Sequence, residues 1–310
     1  MTCAPAGTGL LRLDGETAEM TRPRVGLALG SGGARGYAHL GVLKVLGEAG
    51  VPVSILAGSS MGAVVGAAYA AGYGVAEMER MARNTRWGEL LRLADVAFPR
   101  RGLILGQRLE EYFADLLGGR TFAELEKPLA VIACDLACGD EVRLRSGPVA
   151  TALRASTAIP GIFAPVFLEG RVLVDGCVVS PVPFLAALEM GASVVIAVDV
   201  GAGKNSSSLA WRAGEMCCGL IFRDARDRPP EARPPGYLSI LGRSLLLCRQ
   251  RNGRRSVPPR GAAAVFFIKP GVEGIRWYEF QRVDECVAAG EEAGRRVLRQ
   301  LQMLIDRISV

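Results

Sequence analysis

Two units of one design lie between Val25 and Ala71: an apolar run, a turn of Gly and Ser, and a helix-forming stretch, repeated. In the first, Val25 to Leu29 predicts a buried strand, Gly30 to Gly36 a turn, and Tyr37 to Ala49 a helix whose Leu40, Leu43 and Leu46 share a face and which Gly50 stops. In the second, Val53 to Ala57 predicts a strand and Gly58 to Gly62 a tight turn, and small residues carry a helix on to about Ala71. A strand that turns sharply into a helix leaves the chain free to re-enter the same sheet parallel to itself. The expected fold is therefore α/β, a mainly parallel central sheet flanked by helices on both faces, three layers in all.

The alternation goes on. A helix is predicted near Arg108 to Leu117, a strand at Leu129 to Asp135, a helix near Val149 to Ser156, and strands at Val172 to Val174 and Val194 to Val200. From Gly201 to Pro259 it gives way to Ser-, Arg- and Pro-rich pieces around one apolar helix candidate, Ile240 to Cys248. A strand at Ala264 to Lys269 and a long amphipathic helix from Val283 to Leu304 then restore the pattern. This divides the chain into a loose leader (1–22), a core (23–200), a basic excursion or lid (201–260), and a segment that completes the same domain (261–310). With 310 residues, half of them apolar, the chain is long enough to bury such a core.

The formal charge of +6 is uneven. Residues 201–260 hold twelve basic side chains, Arg249, Arg251, Arg254 and Arg255 among them, against four acidic ones, or +8. Such a block attracts anionic surfaces, either phospholipid head groups, at about 1 kcal/mol per basic residue, or nucleic acid; a merely solvated loop is the bland alternative. The eight cysteines show no paired CxxC spacing and fall largely in apolar runs, as reduced buried thiols do. Cys134 and Cys138 lack the further ligands of a zinc site, so no metal is assigned. The beginning of the chain carries Asp14, Glu16 and Glu19 and no apolar core after a basic start, which does not read as a secretory signal. The expectation is a cytoplasmic protein whose contact with the inner membrane surface is peripheral, since no apolar run is long enough to span a bilayer.

Gly58-Ser59-Ser60-Met61-Gly62 fits GxSxG, the strained strand-to-helix turn that presents a nucleophilic serine, and it lies between a predicted strand and a predicted helix. A serine hydroxyl needs a base within hydrogen-bond reach. The single histidine, His39, precedes the serine, whereas triads built on such an elbow take their His from late in the chain. His39 reads as packing or capping support, and a conventional triad is excluded. The remaining bases are carboxylates: Asp135, Asp175 and Asp199 each lie at or near the end of an apolar strand, and a dry pocket can raise a carboxylate to the role. Gly176 gives Asp175 a freely aimed turn, but spacing does not choose among the three. Backbone N–H groups of Gly30-Ser31-Gly32-Gly33-Ala34-Arg35-Gly36 at a helix start suit the negative charge of acyl transfer. A dinucleotide reading of that loop fails, because G-x-G-x-x-G would need Gly where Arg35 stands.

The Gly-rich loop, the serine turn and the Asp-Gly turn, in this order, resemble the patatin-like phospholipase family. VGLALGSGGARGYAHLGVLKVL is similar to its oxyanion block and AGSSMGAVVGAAYAAG to its nucleophile block, with further likeness in RASTAIPGIFAPV and VDGCVVSPVP, over most of residues 25–300. The resemblance implies a Ser-Asp dyad of Ser60 and Asp175, oxyanion donors at Gly32 and Gly33, and motif support from Arg35, Gly36, Gly58, Gly62 and Gly176. Ser31 and Cys177 stand where many relatives carry smaller residues. The implied reaction is hydrolysis of acyl esters in phospholipids or lysophospholipids, without metal or organic cofactor, at an anionic membrane surface; nucleic acid is not an expected partner. Acyl transfer to another acceptor, or a non-catalytic binding protein on the same fold, are the competing readings.

Overall fold

The computed structural model describes residues 24–84, 95, 104–201, 236–252 and 264–308. In chain order they form β1 (Val25–Leu29), α1 (Ala38–Glu48), β2 (Val53–Ser59), α2 (Met61–Ala70), α3 (Val75–Asn84), α4 (Gln107–Leu117), β3 (Leu129–Asp135) and β4 (Glu141–Leu144). There follow α5 (Val149–Ser156), β5 (Val166–Leu168), β6 (Arg171–Asp175), α6 (Phe184–Glu189), β7 (Val194–Val198), α7 (Tyr237–Asn252), β8 (Ala264–Ile268) and α8 (Val283–Ile308).

The apolar runs become the centre of the sheet, whose order is β5-β6-β3-β2-β1-β7-β8 with β4 on the other edge of β3. β1, β2, β3, β7 and β8 are parallel, while β4 and β6 pair antiparallel to β3. Leu27, Leu29, Val131, Ile196 and Val198 face a large core beneath α1, α2 and α8. Their alternates, Ala28, Ala130, Ile132, Val195 and Ala197, face α6 through Phe184, Ala186 and Ala187. A run with no polar alternation is what a strand covered on both faces requires. The chain steps outward from β1 to β2 and β3, then returns to the opposite side of β1 as β7. The loop after β1 therefore sits at the point where the strand order reverses, where open α/β sheets form their crevices.

The differences from the sequence expectation are local. β2 runs on to Ser59 and α2 starts at Met61, so the turn predicted over Gly58 to Gly62 contracts to Ser60 alone. The amphipathic helix α3, which buries Met78, Glu79 and Ala82, and the six-residue α6 are additional to the predicted elements. The helix candidate at Ile240 to Cys248 is the middle of α7, and Ile240 packs with Cys134, Leu136, Val174 and Val178. The leader at 1–22, and 202–235 and 253–263 of the basic excursion and its surroundings, lie outside the described residues. Among the described residues no helix is long and apolar enough to cross a membrane.

Candidate active site

Ser60 and Asp175 meet because two strands end head to head along one edge of β3. β2 pairs with β3 as far as Ser59 opposite Ile132, and β6 takes over the same edge in the reverse direction, with Asp175 opposite Ala133. β4 occupies the other edge, opposite both Ile132 and Ala133. Ser60, one residue past the end of β2, is thus delivered to the side chain that closes β6, and its Oγ donates to Asp175 Oδ2 at 2.7 Å. The backbone of Ser60 is held at φ 54°, ψ −125°, outside the regions favoured by a side-chain-bearing residue. Two of the motif glycines have steric reasons. A Cβ on Gly62 would come within 2.2 Å of the Leu29 carbonyl oxygen, because the first turn of α2 lies on the end of β1. One on Gly176 would meet the Ile132 carbonyl oxygen at 2.4 Å, because the turn after Asp175 crosses β3. Gly58 lies in β2 against the backbone of Ala63, and Gly36 lies against Met61.

Asp175 is fully buried, and loss of water raises its carboxyl from its ordinary 3.8 to about 6. The Cys177 N–H, 2.8 Å from Oδ1, and the Ser60 hydroxyl oppose that rise by bonding to the charged form. The Cys177 thiol is pushed well above its ordinary range, chiefly by burial and then by the Asp175 charge, and stands neutral. Of the other two carboxylates that the sequence left open, Asp135 accepts from the Ala137 N–H at 2.8 Å within its own turn. Asp199 accepts from the Gly201 N–H at 2.9 Å and lies 3.9 Å from Lys269.

The loop after β1 is held at its edges and open in its middle. Gly30 N–H donates to Val198 O at 3.0 Å, Ser31 N–H to Pro181 O at 2.8 Å and Ala34 N–H to Trp277 O at 2.7 Å. Among the described residues, the N–H groups of Gly32 and Gly33 have no acceptor. His39, fully buried on α1, donates from Nε2 to Gly30 O at 2.7 Å, and burial lowers its imidazole to about 4. It is a neutral brace for the loop, not a base. Arg35 Nε donates to Gly32 O at 3.3 Å. Because a trans peptide sets its C=O and N–H in opposite directions, this grip on the Gly32 carbonyl turns the Gly33 N–H the other way. Gly33 itself, at φ +58°, forms part of a cavity wall.

That cavity, of about 400 Å³, has Ser60 and Gly33 in its wall together with Tyr37, Leu40, Met61, Val64, Phe113 and Phe163. It is lined almost wholly by apolar side chains. Two residues with no local sequence signal support this arrangement. Ser156, buried at the end of α5, accepts from the Ser60 N–H at 2.9 Å and donates to Ile132 O at 2.5 Å. Arg154, two residues earlier, donates to the carbonyls of Leu105, of Gly106 at 2.9 Å and of Ala164 at 2.7 Å, and so ties together the two segments that carry the lining residues Ile104 and Phe163. Both lie in RASTAIPGIFAPV, a stretch whose resemblance was legible although the role of each residue was not. Among the described residues no group of three or more His, Cys, Asp or Glu gathers as a metal site would.

The molecule is thus a three-layer α/β protein with a serine at a strand-to-helix elbow, hydrogen-bonded to an aspartate beside an apolar cavity. Residues 27–188 match the family model described as patatin-like phospholipase, and the chain belongs to that family. It is 41% identical over 178 residues to an NTE family protein of Mycobacterium tuberculosis, a match that covers 57% of this chain and 49% of the relative. The chain thus spans about half the length of that relative. It is also 28% identical over 283 residues to "Lysophospholipase nte1" of Aspergillus fumigatus, covering 90% of this chain and 18% of that one. Among solved structures, VipD from Legionella pneumophila aligns with a TM-score of 0.46 at 13% identity, over 90% of this chain and 67% of that one.

Proposed function

We propose that this protein hydrolyses the acyl ester of a phospholipid or lysophospholipid through an acyl intermediate on Ser60. The observation that carries the proposal is the 2.7 Å hydrogen bond from Ser60 Oγ to the buried Asp175 carboxylate, at the wall of an apolar cavity. Membership of the patatin-like phospholipase family supports the reaction class, and the lysophospholipase name of the Aspergillus relative supports the substrate class. Asp175 takes the Ser60 proton as Oγ attacks the ester carbonyl. The tetrahedral oxyanion is met by the Gly32 and Gly33 N–H groups, and Arg35 and His39 fix the loop that presents them. Collapse of the adduct releases the lysolipid or glycerophosphoryl alcohol, which carries away the proton held on Asp175. Water then attacks the acyl-serine, gives its proton to Asp175, and frees the fatty acid as that proton returns to Ser60. The acyl chain lies in the cavity, and the scheme calls for neither metal nor organic cofactor.

The test is covalent labelling with a fluorophosphonate, read by intact mass and peptide mapping. Labelling at Ser60 that vanishes in Ser60→Ala and slows by about 10²- to 10⁴-fold in Asp175→Asn is the expected result. Labelling of another residue, or undiminished labelling in Asp175→Asn, would refute the dyad. Release of free fatty acid, with no new ester formed when a lipid alcohol is added, separates hydrolysis from acyl transfer.

A further inference from the structure

Eight large apolar side chains stand exposed among the described residues, and they are not scattered evenly. Tyr112, Trp277 and Tyr278 are also lining residues of the cavity, and Leu105 directly follows the lining residue Ile104. The other four, Phe167, Leu246, Phe267 and Met303, lie on separate elements, β5, α7, β8 and α8. A lining side chain that is also exposed marks where a cavity opens. Trp277 at 41%, Tyr278 at 37% and Tyr112 at 37% therefore define the mouth, brought together from segments more than 160 residues apart in the chain.

The exposure is built in and does not come from a loose loop. Between β8 and α8 the chain is anchored by the buried Val272 and Ile275. The Trp277 carbonyl accepts the Ala34 N–H, Arg276 N–H donates to Glu279 Oε2 at 2.7 Å, and Arg282 Nη1 donates to Gly274 O at 2.9 Å. Held this way, Trp277 and Tyr278 pack edge to face at 5.5 Å between ring centres. The exposed Arg276 donates to the Tyr278 hydroxyl at 2.8 Å. Water is a poor neighbour for such a rim. Trp and Tyr, apolar in body and polar at one edge, favour the boundary between lipid headgroups and acyl chains, and a guanidinium beside them suits headgroup phosphates.

We infer that this rim is the surface by which the protein docks on a phospholipid bilayer, with Trp277 and Tyr278 among the headgroups and Arg276 against phosphate. The inference rests on the reading of the cavity as an acyl-chain site, and it adds the place and direction of approach. An acyl chain can pass from a bilayer into the cavity without crossing water only if the mouth itself faces the lipid. The contact surface is then the mouth, and the basic block at 201–260 is secondary to it.

The test uses the full chain with Ser60→Ala, so that the vesicles stay intact and binding is read apart from chemistry. Vesicles are phosphatidylcholine with a minor fraction of phosphatidylglycerol. Trp277→Ala with Tyr278→Ala should lower the fraction that cosediments by at least about tenfold in partition coefficient. Neutralising Arg249, Arg251, Arg254 and Arg255 should lower it less. A second measurement leaves the rim intact: with Trp87→Phe and Trp211→Phe, Trp277 is the sole tryptophan, and its emission should shift to the blue on vesicles and be quenched by brominated acyl chains. Vesicle binding with Trp277 emission unmoved would overturn the inference, as would an absence of vesicle binding. Loss of a dimer in the rim variant with no change in vesicle binding would overturn it too, by assigning the rim to a second copy of the chain. Fluorophosphonate labelling of Ser60 in the wild type, done without vesicles, reports on the proposed chemistry alone, so either idea can fail without the other.

Discussion

Ser60 Oγ lies 2.7 Å from Asp175 Oδ2, and the contact is made by two strands that end against each other on one edge of β3. The hydroxyl donates, the carboxylate accepts, and Asp175 is fully buried behind Ser60. A carboxylate buried in such a place is a stronger base than one in solution, and in the mechanism proposed above a single acidic side chain takes the part that a histidine has in a triad.

The pH dependence follows from that burial. Asp175 can take the serine proton only when ionised, and its carboxyl is raised to about 6. The rate constant kcat/KM for a soluble short-chain ester should therefore climb with unit slope below pH 6 and level off above it. His39, lowered to about 4 and committed to Gly30 O, should add no second inflection between pH 5 and 8. A profile governed by a group near 6.5 that disappears in a His39 variant would contradict this assignment.

The same shift makes Asp175 a cost to the fold. The native state holds its proton up to about pH 6, whereas the unfolded chain releases it near 3.8. Between those values the native state binds more protons, so stability falls as pH rises through the window and stays low above it. The difference amounts to at most about 3 kcal/mol. Asp175→Asn keeps an acceptor for the Cys177 N–H and carries no charge. It should unfold at a higher temperature than the wild type at pH 8, with the gap closing toward pH 4, as thermal denaturation across pH would record. A variant less stable at pH 8 than at pH 4, relative to wild type, would mean that the carboxylate is held by more than these hydrogen bonds.

The strands β1, β2, β3 and β7 were legible because a strand buried on both faces must be apolar at every position, and few other structures write so plain a run. The serine turn was legible because Gly62 has to let α2 rest on the end of β1. The partnership with Asp175 was not legible from spacing. It depends on β6 running antiparallel to β3, and the few residues of Arg171–Asp175 carry no mark of direction. Asp135 and Asp199 end apolar strands in the same way, and only the resemblance separated them from Asp175. Ser156 was silent for a similar reason: its partners, Ser60 N–H and Ile132 O, lie 96 and 24 residues away.

Ser156 should matter to turnover although it bonds to the Ser60 backbone and not to the hydroxyl. Ser156→Ala leaves the Ser60 N–H without its acceptor inside the protein, a loss of about 1–3 kcal/mol. It also frees the strained elbow to relax away from φ 54°. Thermal unfolding should register the first effect. Steady-state kinetics should register the second as a lower kcat with KM nearly unchanged, since the cavity wall is untouched. A raised KM at unaltered kcat would instead assign Ser156 to substrate binding.

The cavity also predicts a limit on acyl length. Its wall includes Met61, Val64, Val65 and Ala68, successive turns of the helix that begins just after Ser60. At 1.5 Å per residue Ala68 stands about 12 Å along that helix from the nucleophile. A chain esterified to Ser60 and laid along α2 therefore reaches Ala68 only if it is long. Ala68→Phe should place a ring across that path while leaving the space around Ser60 and Met61 open. The expected outcome is a fall of about tenfold or more in kcat/KM for long-chain esters, with butyrate esters changed little. An equal fall at every chain length would show that the acyl chain takes another route through the cavity.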